Sequence, residues 1–218
     1  MVVGSQSSWW YEMKKKIVIV DYEMGNLRSI SNALNFLDHN VEITDQPKTV
    51  ENSDFIILPG VGSFNRAMNR LNETGLAGAI QKAVICKQKK ILGICLGFQL
   101  MGEYGVEDGK INGLGLIKGG TERFQDSIGM KIPQIGFNSV SFNKQSKLFH
   151  GLRNPSDFYF VNSYRYSMTN RPGLQATSFY GGEYLAAYED ENVFGTQFHP
   201  EKSQGNGLKL IKNFLKDY

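Results

Sequence analysis

Apolar runs alternate with helical spacings through the first half of the chain. Residues 17–20 are continuously β-branched and apolar and stop at Asp21, the pattern of a parallel strand buried on both faces. Leu27, Ile30, Leu34 and Leu37 then recur at helical spacing and predict a helix over 26–38. A second buried strand is expected over 54–58, ended by Pro59-Gly60, and a third over 90–94. Residues 66–89 read as largely helical with breaks around Gly75 and Gly78, and 96–104 read as a helix leaving the third strand. This alternation predicts an α/β domain built on a mostly parallel, doubly wound sheet.

The pattern changes in the second half. Seven glycines between 102 and 120 predict a loop with tight turns. The stretches 134–142, 157–166, 175–179, 184–188 and 193–198 read as hairpin and meander strands, with Gly181-Gly182 as a turn. They form an antiparallel, β-rich excursion from the domain. Residues 206–218 close the chain as an amphipathic helix, with Leu208, Ile211, Phe214 and Leu215 on one face. At the other end the three lysines at 14–16 follow the broken apolar segment, the reverse of a secretory signal. Residues 1–13 are therefore read as an extension and 14–218 as one domain.

Composition narrows the function. A chain of 218 residues with 41% hydrophobic and 21% charged residues can bury a core and has room for one catalytic site. A net charge of +3 calls for neither nucleic acid nor an anionic membrane, and no apolar run approaches the roughly 20 residues of a membrane span. Two cysteines exclude a disulfide framework and favour a reducing, cytoplasmic setting. Cys86, inside the helical run and without flanking glycines, is expected to be a small packed hydrophobe. No spacing of His, Cys, Asp or Glu suggests a metal site, and no cofactor motif is present.

The second cysteine is framed differently. Gly93-Ile94-Cys95-Leu96-Gly97 sets it between a buried strand and a helix, with a glycine two residues away on each side. That is a nucleophile-elbow pattern with sulfur in place of oxygen, the alternative being a buried thiol beside packing glycines. The helix start would stabilise a thiolate, and the Leu96 N–H would be open to an oxyanion. Of the three histidines, His39 and His150 fall in turns, whereas His199 ends a strand and is followed by Pro200 and Glu201. Glu201 can turn back to hold the imidazole, completing a triad. The turn Pro59-Gly60-Val61-Gly62-Ser63-Phe64 lacks a phosphate-binding fingerprint because Asn65 stands at its third glycine position. It reads as a second source of oxyanion donors or as a tight turn into a helix.

Together these motifs resemble those of the class I (triad) glutamine amidotransferases. The opening Asp21-Tyr22-Glu23-Met24-Gly25-Asn26 is similar to the D-Y-G-M-G-N of the family's glutaminase subunits in histidine biosynthesis. The resemblance implies that Cys95 attacks glutamine, His199 protonates the departing ammonia and Glu201 holds His199. Val61, Gly62 and Leu96 would form the oxyanion hole, and Gly60, Gln99, Ser163 and Tyr164 would bind substrate. It implies a heterodimer with a HisF-like (β/α)8-barrel synthase subunit, which uses the ammonia to form imidazole glycerol phosphate and AICAR, and it places Asn26, Phe137 and Lys202 near that partner. The sequence departs from the family at Glu23, at Gln134, Ile135 and Phe137 of the usual P-H-M-G-W-N, and at Asn162 of the usual H-S-Y. The other readings are a paralogous subunit for amidination of a surface-polysaccharide sugar, a γ-glutamyl hydrolase-like enzyme, and a scaffold with inactive motifs.

Overall fold

Ile17 and Ile19 project into one apolar layer while Val18 and Val20 project into another, so the first strand is buried on both faces. The computed structural model describes residues 15–125, 130–166, 168 and 170–216, and the expected extension over 1–13 lies outside them. β1 (Ile17–Val20) leads to α1 (Leu27–Phe36), β2 (Val41–Thr44), α2 (Pro47–Glu51), β3 (Phe55–Leu58), α3 (Phe64–Glu73) and α4 (Leu76–Gln81). A π-helical turn over Lys82–Cys86 precedes β4 (Lys90–Ile94) and α5 (Leu96–Leu100). The second half holds β5 (Gly102–Gly105), β6 (Ile111–Asn112), β7 (Ile117–Arg123), β8 (Gln134–Val140), β9 (Ser156–Asn162), β10 (Tyr164–Tyr166), β11 (Leu174–Phe179), β12 (Glu183–Asp190) and β13 (Val193–Thr196). A 3-10 turn over Pro200–Lys202 joins β13 to α6 (Gln204–Phe214).

The order β2-β1-β3-β4-β13 is parallel throughout, as the alternation predicts. From β13 the same sheet continues through β12, β10, β7, β5 and β6, mostly antiparallel, with β11 beside β12. The β-rich half therefore extends the main sheet, and only the β8–β9 ribbon stands apart. Helices α1 and α6 pack on one face through Ile30, Leu34, Leu210, Ile211 and Phe214. Helices α3, α4 and α5 cover the other through Phe64, Leu71, Leu76, Ile80 and Phe98. Burial of both faces is what a parallel sheet requires.

Several expectations change. The helix after β4 is short: the chain leaves α5 at Leu100 and enters β5, where 96–104 suggested continuous helix. The glycine-rich segment holds the expected turns, with Gly109 and Gly115 at positive φ, but about half of it is strand, because other glycines permit close strand approach; a Cβ on Gly120 would come within 2.6 Å of the Tyr104 ring. The break between α3 and α4 falls at Gly75, in the left-handed region at φ 75°, while Gly78 lies inside α4. The strand expected over 157–166 is divided into β9 and β10 at Ser163. Cys86 is exposed rather than packed. The π-helical turn keeps Ala83 and Val84 inward and swings Ile85 and Cys86 outward. β2 and α2, too short to leave a clear period, were not foreseen.

Candidate active site

Parallel pairing of β4 with β13 sets Ile94 beside Thr196, so the residues that follow each strand end leave the sheet side by side. This brings Cys95 and His199 together across 104 positions of sequence. Cys95 sits at φ 54° and ψ −111°, a strained conformation for a residue with a Cβ, and its N–H donates to the Thr196 carbonyl at 2.8 Å. The strain is the local signature of the elbow that the flanking glycines suggested. His199 is anchored through its N–H to the Tyr159 carbonyl at 2.8 Å, and its own carbonyl accepts from Ser203 Oγ at 2.6 Å.

The imidazole is 2% exposed, and its Nδ1 lies 2.8 Å from Glu201 Oε1. Glu201 is itself buried, so the ion pair is sheltered from solvent. Burial opposes a charge on the ring, but a negative charge on the nearby Cys95 sulfur, followed by the hydrogen bond and charge of Glu201, outweighs it and pushes His199 up to about 10. The ring thus carries its proton through the neutral range. Because the folded value is raised, its contribution to stability is full below the ordinary 6.5 and disappears as pH rises through about 10. We expect Cys95→Ala to move the His199 titration downward when followed by ring-proton NMR; an unchanged midpoint would show that the thiolate does not hold the charge.

A cavity of about 310 Å³ opens over this pair. Of the residues expected in the site, Val61, Gly62, Leu96, Gln99, Ser163 and Tyr164 line it together with Cys95 and His199. Gly60 is not on the wall; it lies beneath, where its missing side chain leaves room for Leu96 and the Gly97 N–H. The loop after β3 is tied from behind. Tyr22 Oη donates to the Pro59 carbonyl at 2.7 Å, and the Val61 N–H donates to the Met24 carbonyl at 3.1 Å. Val61 N–H is therefore occupied in this structure, whereas Leu96 begins α5 at the elbow, where the first helical N–H groups have no partner within the helix. Glu23, where the family has glycine, occupies the left-handed region at φ 69° and pairs with Arg70 of α3.

Asn26, Phe137 and Lys202 lie outside the cavity. Phe137 is 53% exposed on the ribbon and meets Tyr159 edge-on at 5.6 Å, and Lys202 Nζ stands 5.9 Å from that ring. Phe137, Tyr159 and Lys202 form one mixed apolar and cationic patch, while Asn26 precedes α1, which packs against the turn carrying Glu201. The cavity is also lined by Pro133 and Asn162, which lie in the two segments where the sequence departs from the family, and by Glu107 and Val161, which motif reading missed. Glu107 lies in the segment read as a glycine-rich loop, and its carboxylate accepts from the Phe64 N–H at 2.8 Å at the start of α3. Gln197 was also missed, although a polar residue within the apolar run 193–198 was its available signal.

The geometry sets a thiol beside an imidazole, with a carboxylate behind the ring and a backbone donor at a helix start. A family model described as glutamine amidotransferase class-I matches residues 18–218. Imidazole glycerol phosphate synthase subunit HisH 1 of Campylobacter jejuni is 42% identical over 200 residues, covering 92% of this chain and 99% of that protein. The HisH 2 subunit of Vibrio vulnificus is 43% identical over 201 residues, covering 92% of this chain and 94% of that protein. Among solved structures, PurLQS from Thermotoga maritima superposes with a TM-score of 0.68 at 21% identity, covering 93% of this chain and 98% of that one.

Proposed function

The chain belongs to the class I glutamine amidotransferases, and from that membership we propose that it is the glutaminase subunit of an imidazole glycerol phosphate synthase. It converts glutamine to glutamate and ammonia and passes the ammonia to a separate synthase subunit, a HisF-like (β/α)8 barrel, in histidine biosynthesis. The observation that carries the glutaminase chemistry is the meeting of Cys95 and His199 in one cavity, with Glu201 hydrogen-bonded behind the imidazole. Similarity to HisH proteins over nearly the whole chain supports the pathway. Two unpaired thiols fit a reducing cytoplasm.

The chemistry follows from the geometry. The Cys95 thiolate attacks the carboxamide carbon of glutamine, and the oxyanion that forms accepts from the Leu96 N–H. As the carbon–nitrogen bond breaks, His199 gives its proton to the nitrogen and ammonia leaves. Water then attacks the thioester and loses a proton to His199, releasing glutamate and restoring the thiolate. Glu201 holds the imidazole and stabilises its cation. The Glu107 carboxylate suits the substrate ammonium group, and Gln99, Ser163 and Tyr164 supply polar contacts along the wall. Phe137, Tyr159 and Lys202 form the partner-facing patch, with Asn26 close by.

The resting loop supports control by that partner. With Val61 N–H held by the Met24 carbonyl, the oxyanion hole lacks a donor, and docking of the barrel turns this peptide toward the substrate. Loss of one such donor lowers turnover about 100- to 1000-fold. The isolated chain is therefore expected to hydrolyse glutamine that much more slowly than its complex with the barrel and the barrel's acceptor ligand. A coupled glutamate assay with and without the partner tests this. Full activity of the isolated chain would contradict the resting-loop account. Rapid partner-free cleavage of γ-glutamyl peptides would instead favour a hydrolase, and stimulation only by a sugar-amidinating barrel would reassign the pathway.

A further inference from the structure

Cys95 Sγ has two amide-type neighbours besides the triad, and they oppose each other. The Val161 carbonyl oxygen lies 3.8 Å away and can only accept, so it favours the protonated thiol. Gln197 Nε2, also at 3.8 Å, can only donate, and so favours the thiolate. Gln197 is 0% exposed and lies two residues before His199, between β13 and the turn that carries Glu201. The direction of its carboxamide decides which effect the sulfur feels, since a flipped amide would present an oxygen to the thiolate.

Neighbours from distant segments settle that direction. The Tyr164 carbonyl can only accept, so the Gln99 group facing it at 3.0 Å is the NH2. Asn162 Nδ2 donates to the same carbonyl at 2.9 Å. The Gln99 NH2 also faces Gln197 at 3.0 Å, and the group that receives it must be the Gln197 oxygen. That leaves the Gln197 NH2 for the sulfur. We propose that Gln197 is a thiolate-stabilising and positioning residue of the nucleophile, its polarity imposed by a relay from the Tyr164 carbonyl through Gln99. The relay joins the substrate-binding wall to the reacting sulfur through buried amides, where an N–H bond to an anion gains most from low local dielectric.

This inference rests on Cys95 being the nucleophile. Other ionisable groups facing Cys95 or its cavity are His199, backed by Glu201, Tyr22 from the loop after β1, Glu107 from the turn after β5, and Tyr164 of β10, whose phenol burial pushes up. Burial pushes the Tyr22 phenol well up and keeps it neutral. The test is the pH dependence of Cys95 alkylation by iodoacetamide in the full chain. It is done on a Cys86→Ser background because Cys86 is exposed and would also react. Loss of a hydrogen bond to a charged group corresponds to about a 10- to 100-fold effect. Gln197→Met should therefore raise the alkylation midpoint by about one to two pH units and, at pH below the parent midpoint, lower the alkylation rate by the same factor.

Gln197→Glu, nearly isosteric but with no donor when ionised, should move the midpoint the same way. Midpoints equal to the parent in the folded variants would overturn the proposal. Should neither variant fold, the Gln197 side-chain amide protons in the unsubstituted chain supply the reading by NMR. They should shift as the thiolate titrates, and an invariant resonance would overturn the assignment. Failure of the underlying reading looks different, because the unsubstituted chain in its partner complex would then not hydrolyse glutamine, or hydrolysis would survive Cys95→Ala, whatever Gln197 does.

Discussion

Cys95→Ala will abolish glutamine-dependent synthesis by the assembled enzyme while leaving synthesis from added ammonium salts. The variant lacks the atom that forms the thioester, and removing a nucleophile that acts as part of a triad costs about four orders of magnitude or more. The fold should tolerate it. Alanine deletes only the sulfur from a side chain that is 7% exposed, and it keeps the N–H that donates to the Thr196 carbonyl. Steady-state rates with glutamine and with ammonium in the partner complex give the comparison. Loss of both activities would mean that Cys95 supports the interface or the fold, and retention of both would place the nucleophile elsewhere.

Gly97→Ala should be severely damaging, a single methyl addition at the elbow itself. A Cβ there would overlap the Leu58 carbonyl oxygen and stand 2.7 Å from the Leu58 carbonyl carbon and 3.1 Å from that of Pro59. These are backbone atoms at the end of β3, so no side-chain rotation relieves the clash. The first turn of α5 must withdraw from the 59–62 loop, and the elbow moves with it. Such overpacking is expected to cost at least about 3 kcal/mol. For a chain of this size that is a fall of roughly 6–12 °C in Tm, with loss of glutaminase activity. Gly78→Ala is the matched control. Its Cβ meets nothing within 4 Å on the face of α4, so removing backbone freedom should stabilise the protein by about 0.5–1 kcal/mol. Thermal melts of the two variants should move in opposite directions; similar shifts would show that the close approach at Gly97 is relaxed in solution.

Both variants bear on how readable the molecule was. The strands β1, β3 and β4 stood out because each is a short apolar run with a sharp end, and the residues at 95, 199 and 201 stood out because their chemistry is unusual at strand ends. The segment 102–120 was half legible, as turns, because glycine has two meanings. It permits turns, and it also permits strands to approach where a side chain would not fit, as at Gly120. α5 is shorter than expected because Gly102, a residue that commonly ends helices, follows its cap and the chain turns there into β5, whose place depends on pairing with β7. Cys86 was misplaced because a π-helical turn shifts the face that a regular helical period would bury.

Local periodicity and residue chemistry were enough to identify the alternating strands and helices, the strained cysteine and the His-x-Glu pair, since each depends on neighbours a few residues away. Proximity was another matter. Cys95 and His199 meet because β4 and β13 pair in parallel and in register, a choice made between strands far apart along the chain. The directions of individual N–H groups were equally out of reach. Val61 faces the Met24 carbonyl and Gln197 faces sulfur because acceptors from other segments leave them no alternative polarity. A hydrogen bond is directional and its partner can come from any part of the chain, so the chemistry of the residues was written locally while their orientation waited for the fold.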